Sequence, residues 1–120
     1  MTWISTEDRG PVRRLTMSNP GRRNAVPAHG WDDLRSAFLD FETSDQRVLV
    51  ISGADGDFCA GADLDPAATG ESGVVSLHRR MKRVAGAATA LHRLSKPTIA
   101  AVDGVAVGAG MNLALGCDVV

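Results

Sequence analysis

Apolar side chains recur along the chain with two different periods, which predicts a mixture of strands and helices. Val12, Leu15 and Met17 form a short apolar stretch that ends at the turn sequence 19–21, so we expect a strand there, paired with an opening strand at residues 3–5. A continuous β-branched run predicts a strand buried on both faces at residues 47–52, residues 98–102 predict another buried strand, and a further strand is predicted to begin at 117–120.

Between these strands, apolar residues step by three and four positions, the spacing that places them on one face of a helix. The first predicted helix follows Pro27, and its apolar face consists of Trp31, Leu34, Phe38 and Phe41. The second predicted helix is longer, and we interpret its apolar stripe as core: Val74, Leu77, Met81, Val84, Ala88 and Leu91. A short third helix is predicted to open at Met111. Strands that alternate with helices predict an α/β fold with parallel crossovers.

Composition mainly excludes classes of function. The 120 residues are 44% hydrophobic and 22% charged, and the net charge is −1. The two signs are interspersed, so no broad field attracts nucleic acid or a membrane surface. No apolar run approaches the roughly 20 residues of a membrane span, and the N-terminus lacks the pattern of a signal peptide. We therefore expect a cytoplasmic protein with no nucleic-acid or membrane partner.

The histidines and cysteines predict neither a metal site nor a nucleophile. His78 and His92 lie on one predicted helix, about 21 Å apart at 1.5 Å per residue, so they cannot share a metal ion. Cys59 has no evident base nearby and reads as a small buried side chain, and with Cys117 it forms no CxxC pair. We expect no metal and no redox cofactor.

Two glycine-rich segments are the candidates for chemistry. Residues 104–116 lack both the Gly-Lys-Ser/Thr of a P-loop and the third glycine of a dinucleotide fingerprint. A glycine-rich turn between a strand and a helix N-terminus still aims free N–H groups at one point, which suits an anion or a developing oxyanion. Residues 58–64 also follow a predicted strand, so two such corners could converge on one carbonyl oxygen. Tight packing of turns explains the same spacing, and the residues alone leave both interpretations open.

Five short motifs occur in a fixed order along the chain. They are Asn19-Pro20 with Asn24-Ala25, Gly53 with residues 58–64, residues 96–104, Gly108-Ala109-Gly110, and Cys117-Asp118. In order and spacing they resemble the enoyl-CoA hydratase/isomerase (crotonase) family over residues 14–120. The resemblance implies a crotonase-like spiral of ββα units. We expect residues 1–120 to be the N-terminal part of a single acyl-CoA-binding domain, truncated before its C-terminal helices.

The same resemblance implies a substrate and a site. The substrate would be an acyl-CoA thioester, with coenzyme A as part of the substrate and no separate cofactor. The backbone amides of Ala62 and Ala109 would form an oxyanion hole that holds the thioester carbonyl and stabilises its enolate. The coenzyme A channel would be lined by Arg23, Asn24, Ala25, Val26, Ala60, Gly61 and Ala62. The resemblance also implies a homotrimer or a dimer of trimers, and a role in fatty acid or related acyl-CoA metabolism.

Two departures from the family pattern concern acid–base catalysis. Hydratases of the family carry a glutamate where this chain has Asn112, which we expect to be a site residue: its amide cannot exchange a proton near pH 7, but it could hydrogen-bond a water molecule or the substrate. The family's second catalytic carboxylate has its place beyond Val120. We expect a lyase or isomerase of this family, and Asn112 favours isomerisation or another CoA-thioester reaction over hydration. The alternative is a non-catalytic protein that binds acyl-CoA or modulates an oligomer.

Overall fold

The computed structural model describes residues 3–63 and 73–120. Its elements, in chain order, are β1 (Ile4–Arg9), β2 (Val12–Met17), α1 (Gly30–Thr43), β3 (Val48–Gly53), α2 (Val74–His92), β4 (Thr98–Ala101) and α3 (Ala109–Leu115). The predicted order of strands and helices is confirmed from β1 to α3. Leu64, the last residue of the second motif, lies outside the described residues, as does most of the segment that follows it.

The four strands form one sheet in the order β1-β2-β3-β4. β1 and β2 are an antiparallel hairpin, whereas β2, β3 and β4 run parallel, each joined to the next through a helix. Parallel neighbours need such a crossover because their ends lie on opposite edges of the sheet. The carboxyl ends of β2, β3 and β4 therefore meet at one edge, and the loops that follow them meet there too.

One face of the sheet carries the core. Leu15 pairs with Ile51, and Ile51 pairs with Ala100, so these three side chains share a face, and each is at most 2% exposed. Buried residues of α1 and α2 pack in the same cluster: Trp31, Leu34, Phe38, Phe41, Ala87 and Leu91. The apolar face predicted for the first helix is confirmed.

Several sequence predictions need correction. β3 and β4 are not buried on both faces, because the second face, with Val50 and Ile99, is only half-covered in the described part of the chain. β4 also ends at Ala101, one residue before Val102. At the C-terminal end of the chain, the segment predicted as a strand forms a single bridge, between Val119 and Ile99.

The apolar stripe of α2 is core only in its second half. Val74 is 83% exposed, Leu77 51% and Met81 49%, so the interpretation of this part as core is wrong. Arg83 Nε of α2 lies 3.9 Å from Asp32 Oδ2, and the buried residues of α2 lie beyond Arg83, beginning at Ala87. Over the described residues, no helix combines the length and apolarity needed to cross a membrane.

Candidate active site

Three loops meet at the carboxyl edge of the parallel strands, and Asn24 joins the first two. Asn24 is 4% exposed and has a φ of 60°, a left-handed conformation that asparagine tolerates better than most residues. Its Oδ1 accepts a hydrogen bond from the Asn19 N–H (2.9 Å), and its Nδ2 donates to the carbonyls of Ala54 (2.9 Å) and Asp57 (2.8 Å). The side chain is therefore occupied in holding the loops together.

The backbone after Asn24 forms a short parallel pairing with the loop after β3. The Val26 N–H donates to the Gly61 carbonyl (2.7 Å), and the Val26 carbonyl accepts from the Asp63 N–H (3.0 Å). Neighbouring residues of an extended segment direct their N–H groups to opposite sides. The Ala62 N–H, which lies between these two bonds, therefore points away from Val26.

The loop after β4 pairs with the other side of the loop after β3. The Val105 carbonyl accepts hydrogen bonds from the N–H groups of Phe58 (3.0 Å) and Cys59 (2.9 Å), and the Val107 N–H donates to the Cys59 carbonyl (3.2 Å). A Cβ on Gly110 would lie 2.1 Å from the Cys59 carbonyl oxygen, so only glycine lets the start of α3 approach this closely.

These pairings bring the Ala62 and Ala109 amides to one place. A Cβ on Gly61 would lie 3.3 Å from the Ala109 nitrogen, and standard bond lengths then put the Ala62 nitrogen within about 7 Å of it. Within residues 3–63 and 73–120, neither of these two N–H groups donates a hydrogen bond to the protein. Both alanines are half-buried. Two backbone donors within about 7 Å of each other are thus available to an external acceptor.

Asn112 lies in α3, one turn beyond Ala109. Its backbone N–H donates to the Gly108 carbonyl (3.2 Å), the first hydrogen bond of the helix, and the residue is exposed. Its amide side chain accepts and donates no hydrogen bond among the described residues. The side chain can therefore offer both a donor and an acceptor to a bound molecule, but it cannot transfer a proton near pH 7.

The residues predicted to line a coenzyme A channel differ in their exposure. Arg23 is exposed and Ala60 and Ala62 are half-buried, so these three can contact a ligand. The other predicted lining residues are buried: Asn24, Ala25, Val26 and Gly61. Asn24 and Val26 in particular hold the loops together by hydrogen bonds.

Asp63 and Cys59 also lie at this edge, and their surroundings favour a structural role for each. Asp63 is 8% exposed, and its Oδ1 lies 3.7 Å from Nη1 of Arg22. Cys59 is buried, and burial raises the pKa of its thiol, with a weak hydrogen bond from the Gly61 N–H acting in the opposite direction. A thiol held protonated in this way is a poor nucleophile. In the described part of the chain, no group of His, Cys, Asp and Glu side chains is placed to hold a metal ion.

Asp57 is a residue of this site that sequence reasoning missed. Its Oδ1 accepts a hydrogen bond from the Val105 N–H (2.9 Å) across 48 positions of sequence. An aspartate in a Gly/Asp-rich loop is ordinarily read as a turn former. The partner amide belongs to another loop, so no local signal identifies it.

Comparisons with known proteins identify the family to which this chain is similar. Residues 7–120 match the family model for enoyl-CoA hydratase/isomerase. The chain is 41% identical over 109 residues to the probable enoyl-CoA hydratase EchA14 of Mycobacterium tuberculosis, a match that covers 90% of this chain and 42% of that protein. It is 32% identical over 118 residues to a 4-chlorobenzoyl coenzyme A dehalogenase of an Arthrobacter species, covering 96% of this chain and 43% of that protein.

A solved structure shows the same fold. The probable enoyl-CoA hydratase/isomerase of Mycobacterium abscessus superposes with a TM-score of 0.85 at 31% identity, covering 98% of this chain and 45% of that one. The chain thus spans less than half the length of these three relatives. A hydratase and a dehalogenase are both among its relatives, so similarity alone does not select one reaction.

Proposed function

The chain belongs to the enoyl-CoA hydratase/isomerase family, and from this premise we propose that the protein binds an acyl-CoA thioester and stabilises its enolate. The thioester carbonyl oxygen would accept hydrogen bonds from the Ala62 and Ala109 N–H groups. Negative charge develops on that oxygen when a proton is removed next to the carbonyl. Donors already in place stabilise this charge without reorganisation, and one such donor typically contributes about 10²–10³ in rate.

One observation carries the proposal: two neighbouring backbone N–H groups without an acceptor among the described residues. A backbone N–H is costly to leave unpaired once it is shielded from water, as a bound substrate would shield these two. Here the pairing of Val26 with Gly61 and Asp63 turns the Ala62 N–H outward, and Ala109 begins its helix. The loops thus favour a ligand oxygen as the shared acceptor.

Asn112 bears on the class of reaction. A hydratase needs a group that moves a proton to or from water, and the amide cannot do this. It can hydrogen-bond a substrate or a water molecule at the mouth of the site, where it is exposed. We infer that this protein catalyses an isomerisation or another reaction through a thioester enolate, with the proton carried by a group other than residue 112.

The proposal is tested by titration calorimetry of the purified protein with crotonyl-CoA and with S-ethyl-CoA, a thioether that lacks the carbonyl. Tighter binding of the thioester, by about tenfold or more, is expected if two hydrogen bonds to the carbonyl are made. Equal affinities for the two ligands would refute the oxyanion hole while leaving coenzyme A binding intact. No binding of either ligand by folded protein would refute the whole site.

Asn112 also favours a second candidate, a non-catalytic protein that binds acyl-CoA or modulates an oligomer. The two candidates differ in turnover. Incubation of crotonyl-CoA and of 3-enoyl-CoA with the protein, followed by mass spectrometry and ultraviolet absorbance, should show product only if the protein is an enzyme. The variant Asn112→Glu restores the carboxylate found in hydratases, and a gain of hydration in that variant would show that residue 112 limits the reaction.

Assembly, compartment and pathway are further parts of the proposal. We propose a homotrimer or a dimer of trimers, acting on fatty acyl-CoA or related thioesters in the cytoplasm. Exposed apolar side chains on α2 and α3 support the assembly: Val74, Val75, Leu77, Met81, Met111 and Leu115. Light scattering of the purified protein would show a mass of three or six chains.

A further inference from the structure

Building on the proposed function, we propose that Asp57 is a positioning residue that sets the separation between the Ala62 and Ala109 amides. Asp57 contacts no substrate atom in this role. It acts by joining the loop that carries Ala62 to the loop that leads to Ala109.

The Asp57 carboxylate and the backbone next to it form hydrogen bonds with both the N–H and the carbonyl of Val105. Oδ1 accepts the Val105 N–H (2.9 Å), while the Phe58 and Cys59 N–H groups both donate to the Val105 carbonyl. A residue bonded at its N–H and its carbonyl cannot slide along its neighbour without breaking these bonds. Val105 is thereby fixed in register with residues 57–59.

Asp57 is itself fixed from the opposite side. Its carbonyl accepts a hydrogen bond from Asn24 Nδ2 (2.8 Å), so the chain of contacts runs from Asn24 through Asp57 to Val105. A Cβ on Gly53 would lie 1.9 Å from the Asp57 carbonyl oxygen, and one on Gly104 would lie 2.5 Å from Asp57 Oδ1. Glycine at these two positions thus permits a close contact with Asp57 that a side chain at either position would block.

Val105 is close enough to Ala109 in the chain for its position to constrain that of Ala109. Only residues 106–108 separate them, and the Val107 N–H is bonded to the Cys59 carbonyl (3.2 Å) within that span. Ala62 follows Cys59 after only two residues, 60 and 61, and is held by its pairing with Val26. A shift of Val105 relative to Cys59 therefore changes the distance between the two amides. Displacements of about 1 Å can cost about 10²-fold in rate.

Variants of residue 57 separate the effect of its side-chain length from the effect of its charge. Asp57→Asn keeps an oxygen at the same reach but loses the charge, so the geometry should survive. Asp57→Glu keeps the charge but adds a methylene against Gly104, and Asp57→Ala leaves the Val105 N–H without its partner. Asp45→Ala, which removes an exposed carboxylate outside the site, is the matched control.

The readout is the absorption maximum of a bound aryl-acryloyl-CoA, a conjugated thioester whose band moves to longer wavelength when its carbonyl is polarised. Wild type, Asp45→Ala and Asp57→Asn should show the same red shift, whereas Asp57→Ala and Asp57→Glu should lose about half of it or more at saturating ligand. A purely structural role would lower stability or affinity but leave the shift of the bound ligand unchanged.

Circular dichroism and thermal unfolding establish which variants are folded. If either Asp57→Ala or Asp57→Glu is unfolded, the absorption shift in the other variant tests the proposal. An unchanged shift in a folded Ala or Glu variant would overturn the role of Asp57, as would loss of the shift in a folded Asn variant. Absence of any shift in wild type is a different result, because it would refute the proposed function itself.

Discussion

Asn24 Nδ2 lies 2.8 Å from the carbonyl oxygen of Asp57, a hydrogen bond that spans 33 positions of sequence and joins the loops after β2 and β3. The same nitrogen donates to Ala54, and Oδ1 accepts from Asn19. One buried side chain therefore makes three hydrogen bonds to backbone groups of two loops. This arrangement is the basis of the first prediction.

Asn24→Ala should lower the free energy of unfolding by about 2–4 kcal/mol. The change removes three hydrogen bonds worth about 1 kcal/mol each and places alanine at a φ of 60°. Asn24→Gly removes the same bonds without the backbone strain, so it should be the milder of the two. Urea denaturation measures both, and an Asn24→Gly variant as stable as wild type would show that the bonds contribute nothing net.

Gly110→Ala should destabilise the protein and abolish selectivity for the thioester carbonyl. The new Cβ would lie 2.1 Å from the Cys59 carbonyl oxygen, so α3 must move away from the loop that carries Ala62. Overpacking of this kind costs about 1–3 kcal/mol. Urea denaturation measures the stability, and calorimetry with crotonyl-CoA and S-ethyl-CoA measures the selectivity.

Gly86→Ala is the matched control, since it is the same change within a helix. Among the described residues outside its own helix backbone, its Cβ would meet only Arg35 Cδ, at an ordinary 3.7 Å, and alanine is the better helix former by up to about 1 kcal/mol. We expect equal or higher stability and unchanged selectivity in this variant. The explanation by crowding fails if the two glycine variants behave alike.

Lys96→Met should destabilise the protein by about 2–3 kcal/mol. Lys96 Nζ donates to the carbonyls of Phe41 (3.0 Å), Ser44 (2.8 Å) and Gln46 (2.8 Å), at the end of α1, and lies 4.9 Å from the centre of the Phe41 ring. Methionine keeps much of the apolar stem but removes all three hydrogen bonds, although the Phe41 carbonyl keeps the Ser44 N–H and hydroxyl as donors. Lys82→Met, at an exposed position of α2, should change the midpoint of thermal unfolding little. Equal shifts of the unfolding midpoint in Lys96→Met and Lys82→Met would count against a stabilising role of these three hydrogen bonds.

Glu42 should contribute a pH-dependent part of the stability. The Ser95 hydroxyl and, second, the Ser95 N–H donate to its carboxylate, and these bonds lower the pKa of Glu42 from its ordinary value of 4.5. Because the folded pKa is depressed, the stabilisation is fully present above about pH 4.5 and is lost as pH falls through the folded value. Glu42→Gln should therefore be less stable than wild type at pH 7.

The stability difference between wild type and Glu42→Gln should shrink as the pH is lowered below about 4. Urea denaturation at a series of pH values measures it. Ser95→Ala keeps the N–H donor, so its difference from wild type should have the same sign and a smaller size. A difference that stays constant from pH 7 down to pH 3 would contradict the assignment.

Local patterns were sufficient to predict most elements of the fold. Phe38 and Phe41 recur at helical spacing and are buried in α1, and Leu49 and Ile51 lie in a β-branched run and are buried in β3. The pattern failed on α2, where Met81 has the spacing of a core residue but is half-exposed. Periodicity identifies the apolar face of a helix; whether a neighbour covers that face depends on where the other elements lie.

The sequence by itself determined the elements, their order and the resemblance to a family, because propensity, periodicity and turn chemistry act between residues close together in the chain. It also indicated the two glycine-rich corners at Gly61 and Gly108–Gly110. The tertiary structure alone decided which groups those corners meet: Asn24 with Asp57, Asp57 with Val105, and Gly61 beside the Ala109 amide. Hydrogen bonds between loops depend on the positions of three parallel strands, and no local interaction encodes those positions.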